Sequence, residues 1–212
     1  PDRLRDQKIL LPAIMVEGVK ADRNIDLPTH VLDKIADLVD RCNKCEGCEL
    51  AGQPHPQPRF GKKPKLMIVT EGATRDDCER GTIAEGKSGD FIKYALKRAG
   101  LKPSDAYITS FIKTVKGESG VSGETVIGCA PFLDEEIALL NPPVILILGT
   151  KAARYLVPEL RGGWEEMFDK DFYDATRDCT MLIGLNPQMI WMDATKQDKL
   201  DQVVRHAAEL VS

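Results

Sequence analysis

The chain of 212 residues lacks an apolar run long enough to span a bilayer, and its N-terminus lacks a signal-peptide pattern. We therefore expect a cytoplasmic protein without a membrane partner. Positive charge is not in excess either, because 29 Lys and Arg face 33 Asp and Glu, giving a net charge of −4. This balance excludes a protein that coats nucleic acid through bulk charge. Local basic clusters at residues 61–65 and 93–98 are compatible with a basic groove. Lysines that are simply solvated at the surface explain these clusters equally well.

The length and the 42% hydrophobic content suffice for one sizeable core. We predict an N-terminal extension over residues 1–27 and a single domain over residues 28–212, and we expect a monomer. Apolar runs predict strands at 66–69, 106–109, 144–148 and 181–185, and they alternate with segments of helical periodicity. Thr29 can cap the first helix, and Gly100 and Asn141 end two later ones. The fold class is α/β: three α/β/α layers around a central, mostly parallel, four-stranded sheet.

Polar turns follow two of these predicted strands. Glu71, Asp76 and Asp77 come after the first strand, and Asn186 and Gln188 come after the last one. In open α/β sheets, ligands bind in the crevice beyond the carboxyl ends of the strands. These turns are therefore candidate walls of one active site. The alternative is that both are ordinary loops with solvated acids.

Six cysteines occur, and three of them crowd into the segment Cys42-Asn-Lys-Cys45-Glu-Gly-Cys48. In an intracellular protein, this spacing favours metal or cluster ligation over disulfides. Four thiolates normally hold an iron–sulfur cluster, so Cys129, Cys78 and Cys179 are candidate partners. Reduced cysteines without a metal are the alternative.

Three segments fit the motifs CxxCxL (45–50), GxxG (86–89) and CxPxL (129–133). In collinear order with them, residues 66–77 stand where a strand is followed by GEAPG and an acidic pair, residues 106–113 resemble YITNxxK, and Asn186-Pro187 stands in place of His-Pro. This order resembles the family 4 uracil-DNA glycosylases, the iron–sulfur branch of the uracil-DNA glycosylase superfamily. The resemblance covers residues 42–211. It implies a DNA glycosylase, a hydrolase of N-glycosidic bonds that flips a nucleotide out of DNA, with a four-iron, four-sulfur cluster.

The departures from the family pattern lie at functional positions. The third cluster cysteine falls on Thr114, so the ligand set would be Cys42, Cys45, Cys48 and Cys129. The stacking phenylalanine of the family falls on Ala84, and its base-reading asparagine falls on Ser110. The histidine of its last motif falls on Asn186. The changes in the base pocket all remove bulk.

The resemblance also assigns roles to the remaining candidates. Glu71, Asp76 or Asp77 would orient water and stabilise the cationic sugar, and Asn186 would donate an amide hydrogen bond to the leaving base. The base pocket would comprise Gly72, Ala84, Ser110 and Lys113. Contacts to DNA, including apolar wedges that fill the vacated stack, would come from Lys87, Ser88, Gln188, Met189, Trp191 and Lys196.

Three functions follow from this pattern. The first is a glycosylase for a bulky modified pyrimidine, such as glucosylated hydroxymethylcytosine of phage DNA, acting in anti-phage defence. The second is a weakened uracil-DNA glycosylase of base-excision repair. The third is a catalytically inactive DNA-binding or replication accessory module.

Overall fold

The computed structural model describes the backbone of residues 14–16 and all atoms of residues 23–47, 49–115 and 122–212. The strands are β1 (Ile14–Val16), β2 (Leu66–Ala73), β3 (Ala106–Val115), β4 (Val144–Leu148), β5 (Asp171–Asp174) and β6 (Cys179–Gly184). The helices are α1 (Thr29–Asn43), α2 (Arg75–Arg80), α3 (Gly86–Arg98), α4 (Gly123–Leu140), α5 (Thr150–Leu156), α6 (Trp164–Met167), α7 (Met189–Met192) and α8 (Lys196–Leu210), with a 3-10 turn at Pro103–Asp105.

The sheet confirms the predicted parallel core and extends it. Its strand order is β1-β5-β6-β4-β2-β3, and the four predicted strands β6, β4, β2 and β3 are parallel. The sheet has two more strands than the four predicted, because β5 pairs antiparallel with β6 and β1 pairs antiparallel with β5 at one edge. Residues 14–16 lie within the predicted N-terminal extension, so part of this segment belongs to the sheet.

Side chains that alternate along the strands supply two hydrophobic layers, as expected for strands buried on both faces. Met67 and Val69 of β2 pack in the layer that α1, α4 and α5 cover. Leu66 and Ile68 pack in the opposite layer, under α3 and α8. The α/β/α fold class is therefore confirmed. Each fully buried Leu or Ile contributes about 1.5–3 kcal/mol to the free energy of folding.

Helix ends agree with the punctuation in the sequence, with one exception. Asn141 ends α4 in the left-handed region at φ 42°, and Gly100 follows α3 at φ +79°. Thr29 is the first residue of α1 rather than its cap, because Pro28 occupies the N-cap position. Among the described residues, no helix combines the length and apolar character that crossing a membrane requires.

Candidate active site

A cleft lies beyond the carboxyl ends of β2 and β6 and opens to solvent. Both turns predicted from the sequence contribute to it. The cleft is lined by Thr70, Glu71, Gly72, Ala73, Thr74, Asp77, Ile83, Ala84, Ser88, Gly89, Ile92, Ile112, Asn186, Pro187 and Gln188. The two turns meet because β2 and β6 are parallel and only β4 separates them in the sheet.

Glu71 presents a carboxylate that no described residue engages in a hydrogen bond or ion pair. It lies near the end of β2, and its side chain packs over Gly149, the residue after β4. Gly149 has φ +129°, and a Cβ at this position would lie 2.6 Å from Oε2 of Glu71. Only glycine therefore allows the carboxylate to occupy this place. The free carboxylate is suited to accept a proton from water or to stabilise a nearby cation.

Asp77, in contrast, uses both carboxylate oxygens to hold the backbone together. Its Oδ2 accepts the N–H of Thr74 at 2.8 Å, and its Oδ1 accepts the N–H of Glu85 at 2.7 Å. The Thr74 hydroxyl accepts the N–H of Asp77, which completes a capping box at the start of α2. Burial raises the pKa of Asp77, and the hydrogen bonds from Thr74 and Glu85 oppose this rise. Asp77 thus fixes one wall of the cleft.

Asp76 does not line the cleft. Its carboxylate packs against Gly86, where φ is +64° and a Cβ would lie 1.8 Å from Asp76 Oδ2. The adjacent acids therefore diverge, because successive side chains of a helix point about 100° apart.

Asn186 combines a turn-forming role with a free donor. Its Oδ1 accepts the N–H of Gln188 at 3.0 Å, and its backbone oxygen accepts the N–H of Met189 at 2.9 Å. This is an Asx turn. Since the side-chain oxygen is occupied, the Nδ2 amide hydrogens remain available for a ligand in the cleft.

The cleft wall around Ala84 is apolar and strained. Ala84 is 3% exposed and has φ 63°, a conformation that costs a non-glycine residue free energy. Its carbonyl oxygen would lie 2.0 Å from a Cβ at Gly89, so α3 approaches this backbone closely. The isoleucines of the wall (Ile83, Ile92 and Ile112) were not predicted as site residues, since their apolar side chains carry no sequence signal for a site.

Ser88 lies in this wall rather than on the outer surface. It is 8% exposed, and its hydroxyl has no hydrogen-bond partner in the described structure. A buried hydroxyl without a partner loses free energy that a ligand would restore. Ser88 thus lines the cleft with a hydroxyl that is itself buried.

Ser110 and Lys113, both predicted in the base pocket, do not line the cleft. Lys113 lies on the opposite face of the sheet, where Nζ pairs with Glu136 Oε2 at 2.6 Å and donates to Thr109 Oγ1 at 3.0 Å. Tyr107 donates its hydroxyl to Glu136 Oε1 at 2.7 Å, and burial raises the pKa of Tyr107 well above its usual value. The expectation for Lys113 is corrected: residues 107, 109 and 113 share the face that α4 covers.

The rim of the cleft carries exposed apolar side chains. In α7, Trp191 is 55% exposed and Met192, which was not predicted, is 90% exposed. Met189 is instead partly buried against the core. Lys87 Nζ lies 5.8 Å from the centre of the Trp191 ring, within cation–π range. Lys196, the remaining predicted DNA contact, pairs with Asp193 at 3.5 Å.

The described cysteines do not by themselves form a cluster site. Cys42 and Cys129 are buried, Cys45 is partly exposed, and Cys48 lies outside the described residues. The Thr114 hydroxyl donates to the Pro54 carbonyl at 2.8 Å. No group of three or more His, Cys, Asp or Glu side chains in the described ranges could hold a metal ion.

Comparison with known proteins identifies the fold family. The model of the uracil DNA glycosylase superfamily matches residues 58–207. The chain belongs to the uracil-DNA glycosylase superfamily. This membership confirms the resemblance found from the sequence motifs.

Type-4 uracil-DNA glycosylases are among the similar proteins. The enzyme of Pyrobaculum aerophilum is 31% identical over 133 residues, which cover 62% of this chain and 66% of that protein. The enzyme of Archaeoglobus fulgidus is 26% identical over 149 residues, 69% of this chain and 71% of that protein.

A second kind of relative is a replication protein. The DNA polymerase III subunit alpha of Yersinia pestis is 27% identical over 213 residues, and the match covers 100% of this chain. The chain spans only 18% of the length of that subunit. The superfamily domain of this protein therefore has a counterpart in a much longer polypeptide.

Proposed function

We propose that this protein is a DNA glycosylase that receives a flipped, modified pyrimidine in the cleft and hydrolyses its N-glycosidic bond. The observation that carries the proposal is the unpartnered Glu71 carboxylate in the same cleft as the Asn186 amide. Superfamily membership and the type-4 uracil-DNA glycosylase relatives support this reaction class. DNA is the proposed partner, because a glycosylase must take the nucleotide out of the stack.

The two groups match the charges that develop in the reaction. As the C–N bond breaks, positive charge builds on the sugar and negative charge builds on the leaving base. Glu71 stabilises the cationic sugar and takes a proton from the water whose oxygen bonds to the sugar carbon. Asn186 donates an amide hydrogen bond to the departing base and keeps its proton, and the base anion is then protonated by solvent. The products are an abasic site and the free base.

None of the described residues that line the cleft is aromatic, and this supports a bulkier base than uracil. A phenylalanine beneath a base supplies stacking of about 1–3 kcal/mol, and Ala84 gives up this contribution. A small side chain at position 84 favours a pyrimidine that carries a substituent, and the Ser88 hydroxyl, which has no partner in the described structure, favours a polar one. Glucosylated hydroxymethylcytosine of phage DNA has both properties, so defence against phage is the role that we propose. Uracil, named in the type-4 relatives, is the competing substrate.

Mass spectrometry of the base released from a panel of DNAs tests the proposal. The panel contains glucosylated, hydroxymethylated, uracil-containing and unmodified DNA. We expect release from the glucosylated DNA, with a loss of about 10²–10⁴-fold in E71Q. The matched control is E79Q, since Glu79 is an exposed acid of α2 outside the cleft. Release from uracil DNA alone would refute a bulky base as the substrate, but it would support glycosylase activity.

All of this chain matches a part of a polymerase subunit. This match favours a second candidate function, a replication accessory module that binds DNA without excision. In that case no DNA of the panel releases a base, and E71Q binds DNA as the unchanged protein does. An abasic-site assay run beside a DNA-binding titration separates the two functions.

The excision chemistry proposed above needs no iron–sulfur cluster. The cluster implied by the sequence motifs, with Cys42, Cys45, Cys48 and Cys129 as ligands, stays a prediction. An ultraviolet–visible spectrum of anaerobically purified protein tests it, because a bound cluster colours the protein.

A further inference from the structure

A second surface with the chemistry of a nucleic-acid site lies along α3, away from the cleft. It is an open groove formed by Lys93, Tyr94, Lys97, Leu101, Lys102 and Pro103, which we call the α3 groove. We infer that the α3 groove binds the DNA strand that continues from the flipped nucleotide, with a base stacked on Tyr94 and phosphates held by the lysines. This inference rests on the proposed function.

Tyr94 is an exposed aromatic residue held in a fixed place. It is 50% exposed, and the Arg98 guanidinium lies over its ring, 5.6 Å from the ring centre. Arg98 in turn pairs at 3.1 Å with Asp201, a carboxylate of α8 that is 3% exposed. A buried acid therefore anchors the guanidinium against the ring. A ring that already packs against a guanidinium loses less conformational freedom when a base stacks on it.

The lysines of the α3 groove give it a positive rim. Among the described residues, Lys97 and Lys102 have no carboxylate within ion-pair distance, and both are exposed. Lys93 pairs with Asp90 at 3.0 Å, where the acid is largely exposed. Such exposed pairs contribute little and are easily exchanged for a phosphate. The groove is thus cationic in a chain whose net charge is −4.

The cleft and the α3 groove lie along the same helix. Ser88 and Gly89 near the start of α3 line the cleft, and Lys87 contacts the rim at Trp191. Lys97 lies ten residues further along the helix, or about 15 Å at 1.5 Å per residue. A strand leaving the cleft mouth would reach Tyr94 and Lys97 within a few nucleotides.

A polynucleotide fits this surface better than an acidic peptide does. A phosphate backbone presents repeated charges to the lysines of the groove, and every base offers a face for Tyr94 regardless of sequence. The floor formed by Leu101 and Pro103 is shallow, so it offers no enclosed pocket for the single apolar anchor that a peptide would need.

Fluorescence anisotropy with labelled, undamaged oligothymidylate tests the inference without requiring excision. The unchanged protein should bind an oligomer of about 12 nucleotides more tightly than one of about 4 nucleotides. Y94A should lose about tenfold in affinity for the longer oligomer only, and Y94F, which keeps the ring, should bind normally. K97Q/K102Q should reduce the slope of log affinity against log salt by about 1.4. The charge-matched control K34Q/K170Q, which alters exposed lysines away from the groove, should leave the slope unchanged.

Equal binding of the long oligomer by Y94A, K97Q/K102Q and the unchanged protein would overturn the inference. A labelled polyglutamate peptide with one phenylalanine that binds in place of the oligomer would overturn it as well. Base release is measured separately. If no base is released but the variants still differ in anisotropy as expected, the proposed glycosylase function is refuted. The α3 groove is then still supported as a surface that binds DNA.

Discussion

The replacement D77A tests whether the Asp77 carboxylate stabilises the fold of the cleft, while Glu71 carries out the chemistry. Asp77 accepts two backbone N–H groups, from Thr74 at 2.8 Å and from Glu85 at 2.7 Å. Alanine leaves both donors without a partner and removes the capping box of α2. Hydrogen bonds to a charged group contribute about 1.5–3 kcal/mol each, and water reaches the partly exposed backbone at 74 and 85. We therefore expect D77A to lower the free energy of unfolding by about 2–4 kcal/mol.

Urea titration and thermal unfolding measure this loss, which corresponds to a fall in Tm of roughly 5–12 °C. The neighbouring variant D76A is the control, since the Asp76 carboxylate has no hydrogen-bond partner among the described residues. It should change stability by less than about 1 kcal/mol. If D77A unfolds like the unchanged protein and yet loses all base release, Asp77 is the chemical group and its structural role is refuted.

Three further predictions concern a glycine, a buried cation and an exposed acid. G149A should abolish most base release, because its Cβ would lie 2.6 Å from Glu71 Oε2. The control G81A should lower the free energy of unfolding without other effect, because Gly81 has φ +73° and open space around it. K113M should lower the free energy of unfolding by about 3–5 kcal/mol in urea titrations, because its carboxylate partner stays buried and unpaired. Glu49 has a pKa lowered from 4.5 to about 2 by hydroxyl hydrogen bonds, so it stabilises the fold above pH 4.5 and this contribution is lost as the pH falls toward 2. E49Q should flatten the stability profile in that window, and an unchanged profile would contradict the assignment.

Much of the fold follows from local sequence patterns. The run Val144–Leu148 is apolar throughout, and a strand buried on both faces needs such a run, so its central position in the sheet was predictable. β5 was not predicted, because Asp171 and Asp174 interrupt the apolar pattern and only pairing with β6 makes this segment a strand. Its acids find partners in space, as in the pair of Asp174 with Arg177.

The sequence by itself determined that acids follow β2 and that an Asn-Pro turn follows β6, and the parallel sheet rule placed both turns at one edge. Only the tertiary structure decided which acid is free. The carboxylate of Asp77 accepts the backbone N–H of Glu85, which the chain after α2 brings close to the start of that helix. The carboxylate of Glu71 packs against Gly149, which has no side chain to bind it. Lys113 was misplaced for the same reason: Glu136 neutralises it from α4, 23 residues away along the chain. Whether a charged side chain is free to bind a ligand depends on partners that are distant in the sequence. Local sequence patterns do not reveal these partners.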